Sequence, residues 1–552
     1  MKLYCVNLKE YIPFTGGETL QNVADRLGER LGIVPVSARV NNKEEGLSFP
    51  LYAPKQVEFV PVDDPAGQRC YIRSLCMVLY RAVTRVAPGA RLEICNAVSG
   101  GYYVRITDTD VDRELMARDV ADEMRRLIEA DMPIERKEKP THEVIELFRE
   151  QGLTAKVKLL ESLHELYTIY YRLDGLADTT LSPLVPRTGL LGGFGFTPYE
   201  EGFLLLGCDP RNPSCATSPK PQPKLFRAFT AYQEFNRIIG ISNVGSLNTA
   251  VAEGESGMMI NVAEALHTKH IREIAQAITD RHREGGAKVV LIAGPSSSGK
   301  TTFTKRLAIE LLTNLLRPVM ISLDDYFVDR HLTPLDETGD YDYESIKALD
   351  LELFNSHLCA LIRGEEVELP TYNFEKGSRE FRGKRISLPE DGVLLIEGIH
   401  GLNPELTSAV EDSMKYRVYV SALSTIQIDD HNWVSTTDNR LLRRIIRDYK
   451  YRGTSALSTI RRWPSVRRGE EKWIFPYQEN ADSMFNSSFI FELSVMRDEA
   501  ERVLRTVPRD VPEYAQAHRL RHFLSYFAPV SSRLIPPTSL MREFLGGSSF
   551  KY

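Results

Sequence analysis

Cysteine is scarce and unpatterned. The chain has seven thiols in 552 residues (Cys5, Cys70, Cys76, Cys95, Cys208, Cys215 and Cys359), an odd number with no C-x-x-C pair. This excludes a disulfide framework or a cysteine zinc site and points to a reducing compartment. Long apolar runs are missing as well: no stretch approaches the roughly 18 residues that a membrane span needs. The opening MKLYCVNLKEYIPF has no apolar core of a secretory signal, so a cytoplasmic protein without a membrane role is expected. There is no basic excess. The formal charge is −6, which gives no global pull toward nucleic acid, so any RNA contact would need a local basic patch. Internal repeats are absent too. What is present is an ordinary globular balance, 42% apolar and 26% charged, in a chain long enough for several domains.

The order of apolar and polar stretches predicts five blocks. Residues 1–62 read as a small α+β module, in which strand-like KLYCVNL and VEFVPV flank a helix that Thr19 can cap. Residues 63–217 read as a second α+β module. It runs out into DPRNPSCATSPKPQPK (209–224), whose Pro and Ser content reads as a linker that resists regular structure. Residues 218–285 are helical. In residues 286–496, apolar runs (KVVLIAG, PVMISLD, GVLLIEG, YRVYVSA, SSFIFELS) alternate with amphipathic helices. That alternation indicates a parallel α/β sheet covered by helices on both faces. Residues 497–552 read as a helical tail with no functional signal.

The strongest motif is Gly294-Pro-Ser-Ser-Ser-Gly299-Lys300-Thr301, which fits G-x-x-x-x-G-K-[ST] between a buried strand and a helix. In such a loop the amides of Ser296, Ser297, Ser298 and the helix start at Thr302 point at phosphate oxygens. Lys300 reaches the β- and γ-phosphates, and Thr301 offers its hydroxyl to Mg²⁺. The motif predicts a nucleoside triphosphate but does not by itself specify phosphoryl transfer to an acceptor.

Transfer needs a proton acceptor, metal ligands and cations around the moving phosphoryl group. The strand PVMIS runs into Leu323-Asp324-Asp325, and GVLLIE ends in Glu397. Carboxylates at the C-terminal edge of a parallel sheet lie beside the ligand. Asp324 therefore suits a general base and Glu397 a Mg²⁺ ligand, although a helix-capping pair and a solvated strand end are the plainer readings. Arg440, Arg443, Arg444 and Arg447 recur at helical spacing opposite Leu441, Leu442, Ile445, Ile446 and Tyr449. With almost no acidic residue in view, the helix reads as a cationic lid, with Arg452 just beyond it; a solvated face is the alternative.

With these motifs in order, residues 287–493 resemble the uridine kinase and phosphoribulokinase family. GPSSSGKTTF matches its phosphate loop, and LDDYF matches its D-S-F-Y stretch, which places Asp324 on the catalytic aspartate. YDYESIKALD places Asp342 on the ribose contact. PTYNFEKGSR places Tyr372 and Phe374 in the base pocket and Arg379 on that motif's arginine. LLIEGI carries the Mg²⁺-associated glutamate onto Glu397, and RLLRRIIRDYKYRG carries the lid arginines onto Arg444, Arg447 and Arg452. Two departures stand out: the family's base-reading histidine is Gly377 here, and the arginine after R-G is Thr454. The resemblance thus implies ATP, Mg²⁺ and a small hydroxyl-bearing acceptor, a nucleoside foremost, in a homo-oligomeric enzyme.

The front half resembles something else. Residues 1–62 look like a TGS domain, and residues 63–210 look like the second additional domain of threonyl-tRNA synthetase. There the H-x-x-x-H pair of the synthetase falls on Arg73 and Met77, so neither hydrolytic editing nor a metal is expected. An RNA- or ribosome-associated, nucleotide-driven regulator is the alternative this half raises. Another small hydroxyl metabolite as acceptor is a third reading.

Overall fold

The computed structural model describes every residue except Thr338, Phe374 and Tyr552. The front module is a five-stranded sheet over the helix Leu20–Leu27. Thr19 closes that helix with a capping box, donating its N–H to Asn22 Oδ1 (3.2 Å) while its Oγ1 accepts from Asn22 N–H (3.2 Å). Leu20, Val23, Ala24 and Leu27 fill its core face, as their spacing predicts. The second module packs the long helix Pro65–Val86 against a four-stranded sheet that includes Arg91–Val98 and Gly101–Thr107. The expected linker is only partly irregular. Cys208–Asp209 and Asn212–Ala216 pair as a hairpin, and the chain without regular structure is limited to residues 217–222.

The C-terminal unit is built on a five-stranded sheet. Its strands are β1 (Val289–Ala293), β2 (Arg317–Ser322), β3 (Gly392–Glu397), β4 (Lys415–Ser421) and β5 (Ser483–Asn486), in the order β2-β3-β1-β4-β5. Every pairing is parallel. β1 is buried along its whole length, which is why its sequence is an unbroken apolar run. The β1-to-helix crossover is α1 (Lys300–Thr313). The last strand differs from the expected one: SMFN pairs with β4, whereas FIFELS leads into the helix Glu492–Leu504. A short apolar run is buried equally well in a strand or a helix start, so the pattern could not separate them. Here Phe489 and Phe491 stack on each other with centroids 4.9 Å apart.

The halves are interlocked. Residues 423–435, between β4 and the next helix α2 (Thr436–Tyr451), push into the second module. Ile94 N–H donates to the Asp430 carbonyl (3.0 Å), and Lys156 Nζ pairs with Asp429 (2.8 Å) and Asp178 (2.6 Å). His431 Nδ1 lies 2.8 Å from Asp178, whose carboxyl is held at about 2 by Lys156 and His431 against the cost of burial. Trp433 lies under the Arg73 guanidinium, 3.5 Å from Cζ to ring centroid.

Candidate active site

The phosphate loop follows β1 and turns into α1 as the sequence predicts. Ser297 is left-handed (φ +58°), and Gly299 (φ +84°) caps the helix in the same region, where a side chain would be strained. Lys300 Nζ donates to the Pro295 carbonyl (3.2 Å). Removal from water pushes the Lys300 ammonium down, while Glu397, Asp324, Glu543 and Glu344 pull it back up. The Ser298 N–H donates to the Pro295 carbonyl (3.2 Å) within the loop, and a half-buried cation within electrostatic reach of several carboxylates suits a polyanion that carries its own metal.

Asp324 lies in the 3₁₀ turn Leu323–Tyr326 at the C-terminal end of β2, exposed to solvent and within electrostatic reach of Lys300. Its neighbour Asp325 instead turns inward, where its Oδ1 accepts from Tyr372 N–H (3.3 Å). Glu397 ends β3, beside the Thr301 hydroxyl (Oγ1 to Oε1 3.1 Å), and desolvation lifts its carboxyl to about 7 despite Lys300. A carboxylate and a hydroxyl so placed fit a Mg²⁺ ion, which keeps waters and takes its other oxygens from phosphates. Among the described residues no group of three or more His, Cys, Asp or Glu side chains could hold a metal without such help.

The arginine helix is corrected in one respect. Arg440 and Arg443 are buried and paired, Arg440 with Glu470 and Arg443 with Glu492. Arg440 Nε also donates to the Ser296 carbonyl (3.0 Å), and Arg443 NH2 to that of Ser487 (2.9 Å). These two fasten the helix to the phosphate loop rather than facing a ligand. Their acidic partners lie 30 and 49 residues downstream, beyond any local charge pattern. The free charge is on the other three. Arg444, Arg447 and Arg452 converge on one carboxylate, Asp448, at 3.3, 2.8 and 3.6 Å, which leaves a net cationic cluster at the phosphate end. Arg444 NH1 touches Ser296 Oγ at 3.1 Å.

On the acceptor side, Asp342 accepts from Trp473 Nε1 (3.4 Å) and from Glu344 N–H (3.2 Å). Tyr372 is buried with its ring centroid 5.6 Å from that of Phe327. Arg379 is pinned by Asp350 (2.7 Å), the cap of the helix Leu351–Ile362, so its charge is already matched. Phe374 lies outside the described residues. Gly377 is left-handed (φ +69°), and a Cβ there would come within 2.7 Å of the Arg330 side chain. A guanidinium thus stands beside the position at which the family's histidine was expected. Thr454 is half-buried, its N–H donating to the Asp448 carbonyl (3.1 Å). Arg73 and Met77 are buried in the helix Pro65–Val86.

Two carboxylates at the site carried no sequence signal. Glu344 is pushed up to about 7 by desolvation and by Glu470, against Arg444, Lys300 and Arg440. Glu543, from the tail read as helical and without functional signal, accepts from Thr302.

Residues 289–490 match the Phosphoribulokinase / Uridine kinase family. A uridine kinase from Halobacterium salinarum is 31% identical over 193 residues, 35% of this chain and 76% of that one. The chain belongs to this family. A uridine kinase from Bacillus pumilus is likewise 31% identical, over 35% of this chain and 83% of that one. Family membership together with the loop, the strand-end carboxylates and the cationic helix makes the C-terminal unit a P-loop kinase. The front half is similar to another enzyme: a threonine–tRNA ligase from Rubrobacter xylanophilus is 30% identical over 184 residues, 32% of this chain and 28% of that one. The chain spans less than a third of the length of the ligases it matches, so their activity is not carried over. Among the described residues no helix is long and apolar enough to cross a membrane.

Proposed function

We propose that the protein transfers the γ-phosphoryl group of ATP to the 5′-hydroxyl of a nucleoside, with Asp324 as general base. The observation that carries this reading is the placing of an exposed carboxylate within reach of Lys300, at the strand edge beside the phosphate loop. The acceptor hydroxyl loses its proton to Asp324 as its oxygen attacks the γ-phosphorus, and the bond to the β–γ bridging oxygen breaks. Lys300, Arg444, Arg447 and Arg452 hold the phosphate charge, while Asp342, Tyr372 and Arg379 bound the acceptor. Thr301 and Glu397 would hold Mg²⁺, which when bound would supply charge neutralisation to the phosphates.

The Arg330 side chain lies against Gly377, where the family carries its base-reading histidine, so this wall of the pocket differs from that of a pyrimidine nucleoside kinase. Another small hydroxyl metabolite therefore remains the second reading within the same chemistry. Likeness of the front half to threonine–tRNA ligases supports RNA contact as a separate role of residues 1–217.

The test is ADP release across a panel of nucleosides and small hydroxyl metabolites, with Asp324→Ala alongside. Loss of a positioned general base lowers kcat by about 10²- to 10⁴-fold. Undiminished turnover in Asp324→Ala would remove the mechanism.

A further inference from the structure

The end of the chain returns to the phosphate loop. The short helix α3 (Arg542–Leu545) lies over the start of α1, where Glu543 Oε2 accepts from the Thr302 hydroxyl (2.6 Å) and from the Thr302 N–H (3.3 Å). Thr302 is the third residue of α1, so its amide has no intrahelical acceptor and is one of the donors that a phosphate loop presents to the α- and β-phosphates. A carboxylate already occupies that donor.

The contact is held by the surrounding fold. Leu540, Met541 and Phe544 are fully buried, and a Cβ on Gly299 would come within 2.6 Å of Leu540. The Phe544 ring lies 5.0 Å from the Arg443 guanidinium, and Lys450 Nζ donates to the Leu545 carbonyl (2.5 Å). The backbone of this turn is therefore core, tied to both the phosphate loop and the lid helix, and only the Glu543 side chain is placed to swing aside.

Resting on the phosphate-loop reading above, we propose that Glu543 sets the nucleotide affinity of the site: its carboxylate is a built-in anion that the nucleotide's phosphates must displace from Thr302. Displacement breaks two hydrogen bonds to a charged acceptor and brings like charges together, and both effects weaken binding.

The test is equilibrium binding of a fluorescent ADP analogue with Mg²⁺ to the full chain, comparing wild type, Glu543→Gln and Lys300→Ala. Glutamine keeps the shape and an accepting oxygen but not the charge. Glu543→Gln is expected to bind about ten- to a hundredfold more tightly, the range for charge-assisted hydrogen bonds. Should that variant not fold, Glu543→Asp, which draws the carboxylate back from Thr302, carries the same comparison. Unchanged or weaker binding in the Glu543 variant, with Lys300-dependent binding intact in wild type, overturns the proposal alone. Absence of Lys300-dependent binding in every protein overturns the phosphate-loop reading with it.

Discussion

Glu344→Gln should make the protein more stable at alkaline pH and remove a component of its pH dependence. Glu344 Oε2 is buried with no hydrogen-bond partner among the described residues, and burial followed by Glu470 lifts its carboxyl to about 7. In the unfolded chain the same group titrates near ~4.3. Between those values the folded protein holds a proton that the unfolded chain has released. Folding stability therefore falls as pH rises through that window, and the full loss persists above it. A difference of about 2.7 units at 1.36 kcal/mol per unit gives about 3.7 kcal/mol as the upper value. Glutamine cannot ionise, so the wild type should show no ionisation penalty relative to the variant below about pH 4, and the variant should gain by up to that amount by about pH 8. Denaturant unfolding followed by tryptophan emission reads this, since Trp463 and Trp473 both lie in the C-terminal unit. Other titrating groups cancel in the difference between the two proteins. Parallel pH profiles for wild type and variant would refute the reasoning, and would mean that water or a neighbouring cation solvates the carboxylate.

Glu492→Ala should leave Arg443, fully buried, without its carboxylate, costing about 3–5 kcal/mol and lowering the melting temperature by several degrees; an unchanged melting curve would show the pair to be dispensable. If residues 1–217 contact RNA, filter-bound tRNA should be retained by the full chain at low salt and lost progressively as salt rises, because phosphate contacts release counterions. Retention that is absent, or indifferent to salt, would remove the RNA role.

The phosphate loop was legible in the sequence because its chemistry is local: Gly299, Lys300 and Thr301 must be adjacent, and β1 and α1 flank them at once. The strand-end carboxylates were legible for a related reason, since β2 and β3 are apolar runs whose last residues can only emerge at one edge of a parallel sheet. What could not be read depends on chain reversal. Glu470 and Glu492 lie far from Arg440 and Arg443 in sequence, so a helix that is half anchor looked entirely cationic. Glu543 reaches Thr302 across 241 residues, and no period or composition encodes that distance. The hairpin within residues 208–216 was missed for a different reason: Pro and Ser content discourages regular structure, but an isolated two-strand turn needs only a few paired amides.

Residues 423–435 are a plug in the front half and, at Thr436, the root of the helix that carries Arg444 and Arg447. Any tilt of the front half must therefore drag on the base of that lever, and no flexible hinge separates the two. Cutting the C-terminal unit free would uncover Trp433 and strand Asp429 without Lys156, so the two halves are mechanically a single machine.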